Sequence, residues 1–368
     1  MKTSVAMAVY NGENYIREQL DSILSGEMVP DEIVISDDAS TDGTVQIVEE
    51  YLDQYSNTSR TVIKLLHSET NQGFAENFKK AIESCSGDII LLSDQDDIWE
   101  PRKLLLISRV MKKRKEIKVL GTSFILIDKD GRTIEDYMKL PEADIEEGRR
   151  LYPELFEKPR RGWSNNNLFR RAMSENALVE VMPEEIMFHN ICQGACLAFR
   201  GNIKQDILGN IRTDIPHDWQ IALIGAGMSG FYFYNKKLIR YRLHEANAVG
   251  LGLDGDNLSE EYRMKEAVDA LKAVKLYISF IKHTHHNYNL KQQSDENIAD
   301  DGITAEMQGD ASVQYAVRAE RFLLRYLDTM KRKDKRLMMR LAVDPFFARL
   351  KLPRGRVGDM IFIMKKTK

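Results

Sequence analysis

Over the first 115 residues, short apolar runs closed by polar clusters alternate with stretches whose apolar residues fall three or four apart. The runs read as buried strands and the stretches as helices. Ser4–Tyr10 is the first strand, and Asn11-Gly12-Glu13-Asn14 turns the chain into a helix carrying Tyr15, Ile16, Leu20, Ile23 and Leu24 on one side. Glu32–Ser36 is the second strand, followed by a helix that Thr41 or Asp42 can cap and that runs through Tyr55. Val62–His67 is the third, with a helix from the turn at Asn71–Phe74 to near Ser84. The fourth strand, 88–93, leads to Pro101, which suits the first turn of a helix over 101–115. Val119–Asp128 is predicted as a fifth strand. Gln193–Phe199 is predicted as a further buried strand entered through a glycine, 219–226 as an apolar helix, and Phe231–Asn235 with Lys237–His244 as a closing β-hairpin. Strand–helix alternation at this spacing implies right-handed crossovers and an α/β fold with a parallel sheet covered on both faces.

The pattern changes twice. Residues 129–190 are charged, contain Pro141, Pro153, Pro159 and Pro183, and read as an insert of short helices and loops. Within it, Arg160-Arg161-Gly162-Trp163 reads as a basic surface turn with a packing tryptophan. Beyond 250 the periodicity is helical, with amphipathic helices over 259–282 and about 311–333 and a polar, mobile linker over 283–310. The expected organisation is one domain over 1–250, a helical region over 251–333, and a tail over 334–368.

Composition narrows the class. A chain of 368 residues suggests two units plus extensions, and 43% hydrophobic with 30% charged residues is ordinary for a soluble protein. No apolar run approaches the ~20 residues of a membrane span, and the first ten residues read as a strand rather than a signal peptide. Three cysteines, Cys85, Cys192 and Cys196, give no disulfide framework and suit a reducing cytoplasm. Cys192 and Cys196 read as core thiols. Residues 1–100 hold 20 acidic against 6 basic residues, which argues against a nucleic-acid groove there. Residues 331–368 hold 13 basic against 3 acidic, with Leu337, Met338, Leu341, Phe346, Phe347 and Leu350 interleaved. That composition suits either a helix lying on an anionic membrane surface, peripheral on the inner face of the cell membrane, or a basic helix packed on the first domain.

The candidate chemistry lies where the fourth strand ends. Asp94, Asp96 and Asp97 fall within four residues, and carboxylates this close repel unless a cation sits among them. Hard oxygen ligands suit Mg²⁺ or Mn²⁺, which usually also take phosphate oxygens from a substrate. No Gly-x-Gly-x-x-Gly follows the first strand and no Gly-x4-Gly-Lys-Ser/Thr is present, so a cation is the means left to neutralise a nucleotide's phosphates. Asp218, at the start of the helix after Pro216-His217, is placed where the helix dipole favours a carboxylate.

Tyr10-Asn11-Gly12, Asp37-Asp38-Ala39-Ser40-Thr41-Asp42 and Asp94-Gln95-Asp96-Asp97, each at the end of a successive strand, together resemble the family 2 glycosyltransferases. The form of 93–104, Ser-Asp-Gln-Asp-Asp-Ile-Trp-x-Pro-x-Lys-Leu, is most similar to bacterial rhamnosyltransferases of cell-wall and capsule polysaccharide synthesis. The resemblance covers about residues 3–250. It implies the GT-A fold, a dTDP- or UDP-sugar donor with dTDP-rhamnose as the best guess, a glycan or lipid-linked acceptor, and inversion at the anomeric carbon. It implies that Tyr10 lies against the nucleobase or ribose, that Asp38 accepts from a uracil or thymine imide, and that Asp94 approaches the ribose and diphosphate. Asp96 becomes the metal ligand with Asp97 in support, and Asp218 the catalytic base, with His217 and Trp219 beside it. Tyr241-Arg242-Leu243-His244 resembles the family's Tyr-Arg-x-His, making Arg242 a pyrophosphate contact and His244 a second metal ligand or diphosphate contact. Ala8 departs from the Thr or Ser common near that position. A nucleotidyltransferase would carry a basic, Gly-rich loop after the first strand, and a non-catalytic partner would lack these carboxylates. Both are the less favoured readings, since Asn11-Gly12-Glu13 is neither basic nor Gly-rich and the carboxylates are present.

Overall fold

The computed structural model describes residues 1–55, 61–134, 176–244, 260–292, 310–332 and 341. They fall into two compact units: 1–134 with 176–182 and 191–244, and 183–190 with the helical residues from 260 onward.

The first unit is built on β1 (Thr3–Val9), β2 (Glu32–Asp37), β3 (Val62–His67) and β4 (Ile89–Ser93), which pair in parallel in the order β3-β2-β1-β4. Between them run α1 (Ile16–Leu24), α2 (Thr44–Tyr55) and α3 (Phe74–Ser84). Every residue of β2 and of β4 is buried, as expected of strands covered on both faces. Val5, Met7, Ile33, Ile35, Ile89 and Leu91 meet Ile16 and Leu20 of α1 and Leu104, Ile107 and Met111 of α4 (Lys103–Lys113) in one core. Truncating such a residue to alanine costs about 2–5 kcal/mol.

Beyond β4 the sheet is mixed. β8 (Leu197–Arg200) lies antiparallel between β4 and β6 (Val119–Ile127), and β9 (Phe231–Arg242) runs parallel to β6. Two reversals restore direction, so β9 ends at the same edge as β1, β2 and β4. Among the described residues the sheet has nine strands, completed by β5 (Ile98–Trp99) and β7 (Leu178–Glu180), both antiparallel to β9. The order reverses between β1 and β4, and the crevice outside the carboxyl ends at such a switch point is where open α/β sheets bind ligands.

Three expectations change. The hairpin over 231–244 is one continuous strand, and the residues around Asn235-Lys236 are absorbed as register shifts against Thr122–Ile125 of β6. Asn-Lys lacks the glycine that a tight two-residue hairpin favours, so a bulge takes its place. Residues 178–180, read as part of an irregular insert, form a strand of the sheet. Residues 194–196 are a 3-10 turn, and strand structure starts only at Leu197.

In the second unit, α8 (Glu260–Gln292) packs against α9 (Ala311–Arg332). Ala267, Ala270, Ala273, Val274, Tyr277 and Phe280 are buried on α8, and Val313, Ala316, Ala319, Phe322, Leu323 and Tyr326 on α9. The short helix α5 (Pro183–Ile186) joins this unit through Ser312 Oγ, which donates to Glu184 at 2.6 Å. α8 runs through residues 283–292, where a linker was expected, because that polar stretch contains no glycine or proline to stop it. Among the described residues no helix is long and apolar enough to cross a membrane. The Arg160–Trp163 turn and, Leu341 apart, the 334–368 tail lie outside the described residues.

Candidate active site

Each candidate residue of the first unit leaves a strand or helix at this one edge. Tyr10 follows β1 and is 45% exposed. Its N–H donates to Gln95 Oε1 at 2.7 Å and its carbonyl accepts from Gln95 Nε2 at 2.9 Å, so the ends of β1 and β4 are clipped together by one amide. Gly12 makes room for that clip: a Cβ there would stand 2.4 Å from Gln95 Oε1.

The loop after β2 is held as tightly. Asn11 and Ala39 both adopt the left-handed conformation, with φ of 47° and 63°. Asn11 Oδ1 accepts from Thr41 N–H at 2.8 Å, and its own N–H donates to Ser40 Oγ at 2.9 Å. Asp42 caps α2, accepting from Thr44 N–H at 3.0 Å. Asp38 is 2% exposed, and its two oxygens accept from the N–H groups of Gln72 and Gly73 at 2.9 and 2.8 Å. This carboxylate therefore fastens the start of α3. Each of its oxygens retains a second lone pair.

The carboxylate cluster divides by environment. Asp97 is buried. Its Oδ1 accepts from Arg242 N–H at 2.9 Å, and its Oδ2 has no hydrogen-bond partner among the described residues. Burial, then the charges of Asp96 and Asp94, push its carboxyl well above the usual range. Burial, then Asp96 and Asp218, raise Asp94 to about 7. The effect of Asp218 on Asp94 places those two carboxylates within electrostatic reach of each other. Asp96 points the other way, its Oδ2 lying 2.8 Å from His244 Nε2. Tyr15 packs on that imidazole with ring centroids 4.8 Å apart.

Arg242 is buried behind this pair. It donates from Nε to the Asp96 carbonyl at 2.7 Å, from Nη1 to the Lys129 carbonyl at 2.9 Å, and from Nη2 to Glu18 Oε2 at 2.5 Å, with Tyr15 beneath its guanidinium. These donors brace from within the loop that carries Asp96.

Lys103 is a second buried cation of the site. Its Nζ donates to the Ala195 carbonyl at 2.7 Å and lies 3.9 Å from the Trp99 ring centroid. Burial lowers its ammonium to about 8, against the pull of Cys196, Asp97 and Asp94. The turn it holds presents Gly194 to α7 (His217–Gly227), where a Cβ on Gly194 would come 2.9 Å from His217 Nε2 and 3.8 Å from Asp218 Cβ. Asp218, in the first turn of α7, accepts from Trp219 N–H at 2.7 Å, and all three of His217, Asp218 and Trp219 are buried.

The structure thus gathers Tyr10, Asp38, Asp94, Asp96, Asp97, Arg242 and His244 at the carboxyl edge, with His217, Asp218 and Trp219 reached through Gly194. Gln95, Lys103, Tyr15 and Glu18 are additions. Lys103 carries a readable signal, since it shares a buried stripe with Ile107 and Met111 at four-residue spacing. Cys192 and Cys196 are buried core thiols.

Asp96 and His244 present a carboxylate oxygen and an imidazole nitrogen side by side, a donor set of the kind that fits a divalent cation. Among the described residues no group of three or more His, Cys, Asp or Glu side chains is arranged to hold a metal by itself.

The sequence profile described as "Glycosyl transferase family 2" matches residues 4–176. The putative glycosyltransferase EpsH of Bacillus subtilis is 30% identical over 268 residues, covering 71% of this chain and 71% of EpsH. The chain belongs to glycosyl transferase family 2. It is a glycosyltransferase, and the expected GT-A sheet is the one observed. The dTDP-rhamnosyl transferase RfbG of Shigella flexneri is 43% identical over 102 residues, 27% of this chain and 34% of RfbG. Other curated relatives are likewise matched over about half of their length or less. The crystal structure of S. aureus TarS 1-349 in complex with UDP-GlcNAc shares the fold, with a TM-score of 0.52 at 17% identity over 95% of this chain and 92% of that one.

Proposed function

We propose that this glycosyltransferase moves a sugar from a nucleotide-sugar donor to a hydroxyl of a glycan or lipid-linked glycan, with inversion and with a divalent cation. The observation that carries the reading is the Asp96–His244 pair, 2.8 Å apart at the switch point of the sheet. A cation held there supplies charge neutralisation for the leaving diphosphate. The chain's own residues do the rest. Tyr10, exposed at the end of β1, lies against the nucleobase or ribose, and the remaining lone pairs of Asp38 accept the imide N–H of a uracil or thymine. Asp94 faces the ribose and diphosphate, and Arg242 acts on the diphosphate through the loop it braces. Asp218 takes the acceptor's proton as its oxygen attacks, a contribution of typically ~10²–10⁴-fold.

L-Rhamnose from dTDP-rhamnose is the favoured donor, on the motif at 93–104 and the similarity to RfbG over 102 residues. A UDP-sugar is the second reading, since the imide that Asp38 accepts from is common to uracil and thymine. The product belongs to a surface polysaccharide, and the basic tail holds the enzyme on the inner face of the membrane. The test is nucleotide release from a panel of dTDP- and UDP-sugars with Mn²⁺ and with Mg²⁺. Release confined to one donor and abolished by EDTA supports the reading. No release from any donor, or release indifferent to EDTA, overturns it.

A further inference from the structure

We infer that His217 is a positioning residue that reads a sugar hydroxyl next to the reacting centre, a role that rests on the proposed sugar transfer and extends it. The imidazole is 7% exposed, and neither of its ring nitrogens has a hydrogen-bond partner among the described residues. Such orphaned polar atoms are rare in folded proteins, because each one costs the desolvation of its hydrogen-bonding capacity. The ring is nonetheless held firmly in place. It stacks on Phe78 with centroids 4.2 Å apart and 23° between planes, and Gly194 is a glycine at the point where any side chain would strike Nε2.

The chemistry of the missing partner follows from the ring's state. Burial keeps the imidazole neutral, lowering its pKa to about 3. A neutral imidazole offers one N–H donor and one lone pair. A hydroxyl group, which donates and accepts, satisfies either nitrogen, whereas a phosphate satisfies only the donor. A second observation points to a sugar. Phe74, 40% exposed, stands beside the imidazole with centroids 5.9 Å apart. An exposed aromatic face next to an unsatisfied polar pair suits a pyranose, which presents an apolar C–H face and hydroxyl edges together. His217 Nε2 and Asp218 Cβ both lie within 3.8 Å of one point beside Gly194, so the hydroxyl read by His217 lies close to the one that Asp218 deprotonates. It belongs either to the donor sugar or to the acceptor.

The variants His217→Phe, which keeps the stack on Phe78, and His217→Gln, which keeps one donor and one acceptor, are compared with the wild type in the full-length protein. Three quantities are read: affinity for the free nucleoside diphosphate with Mn²⁺, KM and kcat for nucleotide-sugar hydrolysis without acceptor, and KM and kcat for transfer. The expected result is a rise of about tenfold or more in one sugar-substrate KM for the Phe variant, with partial recovery in the Gln variant and unchanged nucleotide affinity. A change already present in hydrolysis assigns the hydroxyl to the donor, and one confined to transfer assigns it to the acceptor. Monodeoxy analogues tested on the wild type give the same answer without any variant, since removing the hydroxyl that is read must cost a similar factor. Sugar-substrate KM values within twofold of the wild type in both arms, a Gln variant no better than Phe, or a loss of nucleotide affinity overturns the inference. A wild type that releases nucleotide from no sugar nucleotide removes the proposed function itself, and the inference with it.

Discussion

Arg242 donates its Nε proton to the carbonyl oxygen of Asp96 at 2.7 Å, so the backbone that carries one proposed cation ligand is fixed by a residue two positions before the other, His244. The same guanidinium bonds Glu18 and the Lys129 carbonyl, closing a small network behind the site. Arg242→Met leaves these acceptors unmatched and is expected to lower stability by roughly 2–3 kcal/mol. Glu18→Gln keeps a hydrogen-bonding oxygen on a side chain that is itself half exposed, so its cost stays under about 1 kcal/mol. Urea denaturation of both variants checks the order, and equal costs would refute it.

Gly12→Ala tests the clip between β1 and β4. A Cβ there meets the side-chain amide of Gln95, which must swing away and release both backbone groups of Tyr10. The obstructed group is the end of a flexible side chain, so global stability should fall by no more than about 1 kcal/mol. Affinity for the nucleoside diphosphate should fall about tenfold, because Tyr10 is no longer positioned. Calorimetry giving wild-type affinity would count against the clip.

The base of the sheet carries a pH-dependent contact. Burial alone would raise Glu32, but hydrogen bonds from Lys64, Ser4 and Ser86 outweigh it and lower its carboxyl to about 2. A carboxyl depressed in the folded state adds stability that is present above its unfolded pKa near 4.3 and lost as pH falls toward 2. The shift corresponds to roughly 3 kcal/mol. Wild-type stability should therefore decline between about pH 5 and 2, and Glu32→Gln should flatten that slope while destabilising the protein at pH 7. An unchanged slope in the variant would refute the assignment.

The parallel half of the fold is legible in the chain because strand and helix periods alternate cleanly there, and Val62–His67 is a strand at the bounds its pattern gives. The antiparallel half is less so. β7 is only three residues long, and its place in the sheet comes from pairing with β9 rather than from periodicity. β9 was misread as a hairpin because a bulge and a turn leave the same polar interruption. The strand-end carboxylates were visible as motifs, since Asp38, Asp94, Asp96 and Asp97 each follow an apolar run. Their division of labour was not visible. Only the folded chain brings Arg242 behind Asp96, or fastens Lys103 to Ala195 across 92 positions of sequence.

Asp218→Asn preserves size and can still accept from Trp219 N–H at the start of α7, so fold and nucleotide binding should survive. Transfer to an acceptor should drop by ~10²-fold or more because the amide cannot take the proton. The wild-type product should be inverted relative to the donor at its anomeric carbon, which NMR reads directly. Near-normal turnover in the variant, or a retained configuration, would remove Asp218 from the role of base.

In the proposed function Asp96 pairs with His244 to hold a cation against a diphosphate. The most direct measurement is calorimetric titration of dTDP and UDP into the wild type, Asp96→Ala and His244→Ala proteins, each with Mn²⁺ and with EDTA. Nucleotide binding by the wild type should strengthen at least tenfold with Mn²⁺, and that gain should vanish in Asp96→Ala and shrink in His244→Ala. Equal affinity of the wild type with Mn²⁺ and with EDTA, or a full Mn²⁺ gain in Asp96→Ala, would contradict it.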